Sequence, residues 1–168
     1  MTVLTSAFTL PCGISIPNRL AKAAMTEGLS ETGGLAGPRI ARLYRLWSEG
    51  GAGLILTGNI MVDRRYRERP ANIVVDGEQS AHGLEGLRAY AEAAKAGGSV
   101  AIAQISHAGR QSPAMIAPEP VGPSAVAMKL PGGVFARPRA LSEADIADVI
   151  ARFAHTAKVC VAAGFDGV

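Results

Sequence analysis

Polar side chains and glycines follow three apolar segments of the chain, at the points where strands are expected to end. These ends read Met25-Thr26-Glu27, Thr57-Gly58-Asn59 and Gln104-Ile105-Ser106-His107. Gln104 can donate and accept hydrogen bonds at once, Thr26 carries a hydroxyl, and Gly58 would let a flat ligand approach the backbone. Each end alone could be polar for structural reasons. Together they predict a site that holds a planar heterocycle and leaves the chemistry to a cofactor.

The same residues offer little for other kinds of chemistry. The sequence shows no nucleophile with a base and an orienting group, and no carboxylate pair at a plausible catalytic spacing. The two cysteines, Cys12 and Cys160, have no Cys or His at metal-ligand spacing, so neither a metal site nor a disulfide framework is predicted. A net charge of +3 and 5% aromatic residues argue against nucleic-acid binding.

Strand-then-helix units position these residues. Strands are predicted over 20–26, 53–60 and 100–105, and a fourth begins at 165–168. Helices are predicted from Pro38 to the Gly50-Gly51 pair, around Leu84–Ala94, and from a capping box at Ser142 and Asp145 to Gly164. In the third helix, one apolar face is expected to pack on the core. That face consists of Ile146, Val149, Ile150, Phe153 and Ala157.

Alternating strands and helices predict an α/β fold with a parallel sheet. An open doubly wound sheet and a closed barrel both satisfy this pattern, but neither G-x-G-x-x-G nor a P-loop follows a strand, which favours the barrel. The chain has 168 residues, against roughly 250 for a (β/α)8 TIM barrel. We therefore expect residues 1–168 to be about the first half of such a barrel, strands one to four, with a lid-like insert at about 112–140.

Five segments, in order along nearly the whole chain, resemble the Old Yellow Enzyme family. They are Asn18-Arg19-Leu20, Ala23-Ala24-Met25-Thr26, Gln104-Ile105-Ser106-His107-Ala108-Gly109-Arg110-Gln111, Gly122-Pro123-Ser124-Ala125 and Ala163-Gly164-Phe165-Asp166-Gly167-Val168. The resemblance implies an FMN-dependent oxidoreductase that passes hydride from NAD(P)H through flavin to the activated C=C bond of an enone-type substrate.

The resemblance also implies roles for individual residues. Ala23, Ala24, Met25 and Thr26 would run along the flavin, with Gly58 beside the ring and Gln104 on its pyrimidine edge. The Thr26 hydroxyl would lie near the flavin C4 carbonyl and N5 and tune the ring, as the catalytic contribution of this chain. One branch of the family has cysteine at Thr26 and tyrosine at Gly28, so the contacts of that tyrosine do not carry over.

Other parts of the family site would lie beyond Val168. These are the substrate-anchoring His pair or His and Asn, the tyrosine proton donor, and the residues that hold the FMN phosphate. The expected partners are therefore the complementary C-terminal half of the barrel and a small-molecule alkene. The alternative is a non-catalytic half-barrel that self-associates as a homo-oligomer. The sequence shows no leader or membrane segment, which predicts a cytoplasmic protein.

Two loop features stay open at this point. Arg64–Arg69 holds four arginines and could meet a phosphate of NADPH or of an acyl-CoA, although a solvated loop is the favoured interpretation. His107 could contact a ligand, although a loop histidine satisfied by the backbone is favoured. Arg110 is expected to brace its own loop.

Overall fold

Two parallel three-stranded sheets frame the fold in the computed structural model, which describes residues 3–130 and 132–168. An antiparallel pair precedes them, β1 (Phe8–Thr9) and β2 (Ser15–Ile16). The first sheet has the order β3 (Ala21–Lys22), β4 (Leu54–Leu56), β7 (Val100–Ile102). In the second, β5 (Ile60–Met61) lies between β6 (Ile73–Val74) and β8 (Ile105–Ser106). A further parallel pair joins β9 (Val121–Gly122) to β10 (Arg139–Ala140).

In the part of the chain that the structure describes, three α-helices cover the sheets: α1 (Pro38–Glu49), α2 (Ala81–Lys95) and α3 (Glu143–Ala163). Short 3-10 turns occur at Val3–Thr5, Thr32–Gly34 and Gly109–Gln111. The chain thus alternates strand and helix, and sequential strands β3, β4 and β7 pair in parallel. Among the described residues no helix has the length and apolarity that a bilayer crossing requires.

The predicted strands exist, but they are shorter than predicted. The segment 53–60 divides into β4 and β5, since side chains replace ladder hydrogen bonds at Thr57 and Gly58. The Thr57 hydroxyl accepts from the Gln104 amide at 2.9 Å, and the Gly58 amide donates to the Tyr44 hydroxyl at 2.9 Å. The segment 100–105 divides in the same way into β7 and β8. Apolar periodicity does not reveal such interruptions.

The fourth predicted strand is present only as a bridge between Ile102 and Gly167. Its backbone nevertheless follows β7 in parallel, because the Asp166 amide donates to the Ala101 carbonyl at 2.9 Å and the Ala103 amide to the Gly167 carbonyl at 2.9 Å. The Asp166 carboxylate adds a bond from the Ala101 amide at 2.9 Å. The order of four parallel strands therefore follows the order of the chain.

The helix ends agree with their predicted caps. α1 has Pro38 in its first turn. In α3 the Ser142 hydroxyl and the Asp145 carboxylate form both bonds of the capping box, and Gly164 ends the helix at a φ of 107°. α2 begins earlier than its apolar residues indicate, because Ser80 caps it by accepting from the Gly83 amide at 3.1 Å.

The core face predicted for α3 is largely wrong. Ile146 is 40% exposed and Ile150 is 63% exposed, whereas the buried residues of the helix are Thr156, Cys160 and Ala163. The buried residues of α3 lie in its C-terminal half, where the Thr156 hydroxyl donates to the Val75 carbonyl at 2.7 Å. Burial raises the pKa of the Cys160 thiol to about 12, so this thiol is inert.

Aromatic rings join the helices to the sheet in the core. Tyr44 of α1 meets Tyr90 of α2 edge to face at 4.7 Å between centroids, and Tyr90 meets Phe165 at 5.4 Å. Ile55 and Ala101 lie fully buried beneath them. Such edge contacts add about 0.5–1.5 kcal/mol each beyond the area they bury.

The insert at 112–140 is tied down at several points, with Pro131 outside the described residues. β9 and β10 pair across it, and the Ala114 amide donates to the Val134 carbonyl at 2.9 Å. Arg110 donates to the Val126 carbonyl at 3.3 Å, which agrees with its expected role as a brace. Met115 and Leu130 are 82% and 55% exposed, so the insert presents apolar side chains outward.

The cap of α3 gives a prediction for acid stability. Arg139 and the Ser142 backbone and hydroxyl bind the Asp145 carboxylate and hold its pKa below the usual 3.8. Because folding lowers the pKa of this carboxyl, the ionised carboxylate stabilises the fold above about pH 4. This stabilisation is lost as the pH falls further. Asp145→Asn should therefore flatten the acid limb of melting temperature against pH between pH 2 and 6. Glu143→Gln removes a charge from the same turn and serves as control; equal curves for both variants would contradict the assignment.

Candidate functional site

The predicted site lies where β3, β4 and β7 end at their carboxyl sides. In a parallel β/α barrel this edge is the functional face. The chain places Thr26 beyond β3, Asn59 beyond β4 and Gln104 beyond β7. The parallel registers Lys22–Ile55 and Ile55–Ala101 bring the three strands level, so their ends meet at one rim.

One chain of hydrogen bonds joins these three residues through a fourth, Glu68. The Thr26 hydroxyl donates to Glu68 Oε2 at 3.0 Å, and the Asn59 amide nitrogen donates to the same oxygen. The Gln104 amide nitrogen donates to Asn59 Oδ1 at 2.6 Å. We call Thr26, Asn59, Glu68 and Gln104 the rim network. It brings Thr26 and Gln104 together, as the sequence predicted.

Gln104 keeps part of its hydrogen-bonding capacity free. Its backbone amide is fixed by the buried Thr57 hydroxyl, and one of its two side-chain N–H groups is used by Asn59. Within residues 3–130 and 132–168 nothing donates to Gln104 Oε1. One acceptor and one donor side by side are what a carboxamide needs to bind the imide edge of a pyrimidine-like ring.

The segment Ala23–Thr26 is suited to lie along a flat ligand. Met25 is 51% exposed and Ala23 is also exposed, and both lie next to the rim network in the chain. The backbone amides of Ala24, Met25 and Thr26 donate no hydrogen bond inside the described part of the chain. Free backbone donors beside an exposed apolar side chain are features of a site for a flat, partly polar ligand.

Gly58 requires a different explanation from the predicted one. It is buried, and an added Cβ would collide with the Met25 carbonyl and the Glu27 carboxylate, not with an open face. The segment that follows β3 in the chain itself therefore makes the close approach, and Asn59, the next residue, lies at the rim. A direct contact between Gly58 and a cofactor stays a prediction.

A buried polar cluster lies directly behind the rim. Lys22 donates to the Leu56 carbonyl at 3.0 Å and to the Tyr44 hydroxyl at 3.3 Å, and its ammonium is 3.8 Å from Glu27 Oε1. The Tyr44 hydroxyl in turn donates to Glu27. The side chains of Lys22 and Glu27 are only 8% and 11% exposed. We call Lys22, Glu27 and Tyr44 the Lys22 cluster.

Burial and charge pairing act in opposite directions on Lys22 in this cluster. Burial lowers the pKa of Lys22, while the Glu27 carboxylate opposes that shift. Burial, followed by the bond to Glu27, raises the pKa of Tyr44 and keeps it protonated. Lys22 also lies 4.3 Å from the centre of the Trp47 ring. Since the Tyr44 hydroxyl also accepts from the Gly58 amide, the cluster fixes both strand ends that flank the rim.

The arginine run beside the rim is not a free cationic patch. Arg64 pairs with Asp76 at 2.7 Å, and Arg65 pairs with the buried Asp63 at 2.6 Å. Arg65 also reaches Asp148 at 3.1 Å. These pairs fasten the loop to the sheet and to α3. Within this loop, Glu68 faces the rim, which the sequence analysis missed; its only signal was a single carboxylate among four arginines.

His107 is held by its own loop. Its Nδ1 accepts from the Gly109 amide at 3.0 Å, its ring lies 5.2 Å from that of Tyr66, and burial lowers its pKa. Nε2 is buried without a hydrogen-bond partner among the described residues. The backbone therefore satisfies one ring nitrogen, as favoured from the sequence. No group of three metal-binding side chains occurs in the described ranges.

The fold defines a class of protein: a parallel β/α barrel unit with a polar rim at the carboxyl ends of its strands. The family model for the NADH:flavin oxidoreductase / NADH oxidase family matches residues 12–168. The chain belongs to this family, which confirms the predicted relationship to the Old Yellow Enzyme group.

Curated relatives cover most of this chain. The chain is 36% identical over 175 residues to the NADH-dependent flavin oxidoreductase iliE of Neonectria sp. (strain DH2), covering 95% of this chain and 23% of the relative. It is 37% identical over 169 residues to the NADH-dependent flavin oxidoreductase nadA of Aspergillus parasiticus, covering 92% and 37%. The chain thus spans less than half the length of these relatives.

Solved structures show the same fold. A 2-naphthoyl-CoA reductase complex superposes with a TM-score of 0.88 at 23% identity, covering 99% of this chain and 26% of that one. The Old Yellow Enzyme homologue from Zymomonas mobilis gives a TM-score of 0.82 at 24% identity, covering 99% and 47%. The predicted fold class, strands one to four of a (β/α)8 barrel, is confirmed.

Proposed function

We propose that this chain forms the N-terminal half of an FMN-dependent oxidoreductase that passes hydride from NAD(P)H to the activated C=C bond of an enone-type substrate. The observation that carries the proposal is the rim network, which holds Thr26 and Gln104 together in a family whose described members use flavin. FMN would supply a ring nitrogen that accepts and then releases hydride.

Each rim residue has a distinct role in this proposal. The free donor and acceptor of Gln104 would bind the pyrimidine edge of the ring, while the exposed Met25 and the free amides of Ala24–Thr26 would line its other side. Thr26 would lie beside the atoms where charge develops on reduction. Substrate anchoring and proton donation are assigned to the complementary half of the barrel. The insert at 112–140 would act as a lid over the rim.

Flavin loading tests the proposal. The chain, co-expressed with the C-terminal half of the barrel of a full-length relative, should purify as a yellow complex. NAD(P)H should bleach it under anaerobic conditions, and 2-cyclohexenone should restore the colour. A folded complex that stays colourless in excess FMN would reject the function. A yellow complex that is bleached but not recoloured by any enone would reject the substrate class alone.

Gln104→Leu provides the residue-level test. Loss of paired hydrogen bonds to the ring should weaken FMN binding by about tenfold or more, since each such bond contributes roughly 0.5–1.5 kcal/mol. Flavin fluorescence titration measures the dissociation constant. Gln79→Leu, which removes an exposed amide from the turn before α2, is the control and should bind FMN as the parent does. Equal affinities in both variants would contradict the assignment of Gln104.

The second candidate, a self-associating half-barrel, draws on the apolar face of α3. Ile150 and Val161 are 63% and 55% exposed, and exposed apolar residues of this kind mark surfaces that pack on a partner. A flavin-free homodimer in sedimentation velocity would support this candidate. A monomer that takes up the complementary half would support the enzyme.

A further inference from the structure

The position of Glu68 in the rim network is unusual for a surface-loop carboxylate. Its side chain is 29% exposed, and one oxygen, Oε2, accepts from both Thr26 and Asn59. Its other oxygen lies 3.4 Å from the Arg69 guanidinium, which is itself 52% exposed. A half-exposed arginine on the solvent side is well hydrated and screens the carboxylate only in part. Negative charge is therefore presented to the rim.

The protons in the network can be counted. Thr26 has a single hydroxyl proton, and a carboxylate only accepts, so this proton points to Glu68 and Thr26 offers lone pairs in other directions. Asn59 gives an N–H to Glu68, which turns its Oδ1 toward the N–H of Gln104. One carboxylate thereby sets the orientation of the hydroxyl and of both amides.

We propose that Glu68 is a positioning residue that lowers the electron affinity of a flavin held at the rim. This inference rests on the proposed function. Because Glu68 accepts the hydrogen bond of the Thr26 hydroxyl, this hydroxyl cannot donate to the ring atoms where negative charge develops on reduction. It also places a negative charge beside those atoms. Both effects disfavour the reduced flavin, so the Glu68 carboxylate tunes the cofactor.

The direct test is the reduction potential of the flavin-loaded complex with Glu68→Gln. The glutamine keeps an oxygen that can accept from Thr26 but removes the charge. When its amide N–H donates to the Thr26 oxygen instead, the Thr26 hydroxyl is free to donate to the ring. The midpoint potential should rise. Equivalently, the ratio of the dissociation constants for oxidised and reduced FMN should increase by about tenfold, which is about 30 mV for a two-electron couple.

Two further variants separate this role from general effects. Glu78→Gln removes one carboxylate from an exposed position in another loop and should leave the potential unchanged. Thr26→Val removes the hydroxyl through which part of the effect passes, so Glu68→Gln should shift the potential less in a Thr26→Val background. A double-mutant cycle of the four potentials gives the coupling.

The outcomes are distinct. If the parent complex binds no FMN, the proposed function fails and this inference fails with it. If FMN is bound but Glu68→Gln leaves the midpoint potential unchanged, the tuning role of Glu68 is overturned while the function stands. If Glu68→Gln lowers the dissociation constants of oxidised and reduced FMN by the same factor, Glu68 weakens FMN binding without regard to redox state. That result also overturns the tuning role.

Discussion

Lys22→Met should lower the free energy of unfolding by about 3–5 kcal/mol, the usual cost of removing one partner from a buried ion pair. The substitution keeps the length of the side chain and leaves Glu27 buried, with Tyr44 as its remaining hydrogen-bond donor. It also removes the donors to the Ala23 and Leu56 carbonyls. Urea unfolding of the flavin-free chain, followed by circular dichroism, measures the change.

Two comparisons make the Lys22 prediction specific. Arg45→Met removes an exposed cation 3.8 Å from Glu49 on α1 and should cost at most about 0.5 kcal/mol. Adding Glu27→Gln to Lys22→Met removes the uncompensated charge, so the double variant should be more stable than Lys22→Met alone. A loss for Lys22→Met as small as that for Arg45→Met would show that the Lys22 cluster contributes little to the fold.

The Lys22 cluster also shows what the sequence could not reveal. Tyr44 shares the helical spacing of Ile40 and Trp47 on α1, and it lies in the core. Its hydroxyl, however, links α1 to Glu27 and to Gly58, which lie 17 and 14 positions away. Periodicity assigns a residue to a face, but it carries no information on which distant polar groups that face meets.

The prediction of the α3 face was wrong, whereas two strand-end residues were placed at a shared rim. Both results depend on what periodicity and strand direction can reveal. Ile146 and Ile150 follow helical spacing, yet burial depends on what lies opposite the helix, and the buried residues of α3 lie in its C-terminal half. Thr26 and Gln104 could both be placed at this rim, because carboxyl ends of parallel strands meet at one edge whatever their exact lengths. Glu68 and Asn59 were not assigned, since a loop between strands can bring any of its residues to that edge.

Gly58→Ala should destabilise the chain by about 2–3 kcal/mol, at the upper part of the range for overpacking. The added methyl would meet the Met25 carbonyl, and a backbone atom cannot move aside as readily as the end of a flexible side chain can. The structure must respond by separating the ends of β3 and β4, which also weakens the bond from the Gly58 amide to Tyr44.

Gly86→Ala is the matched control, because its added Cβ would meet the Ala36 carbonyl in the outer helical layer. Its clash is partly offset by the helix preference of alanine over glycine, about 1 kcal/mol. Both variants should unfold at lower urea than the parent, but only Gly58→Ala displaces Met25 and Asn59. In the complex with the complementary half, Gly58→Ala should therefore weaken FMN binding, whereas Gly86→Ala should not. Equal FMN affinities at matched stability would place Gly58 in the packing of the strands alone, without influence on the rim.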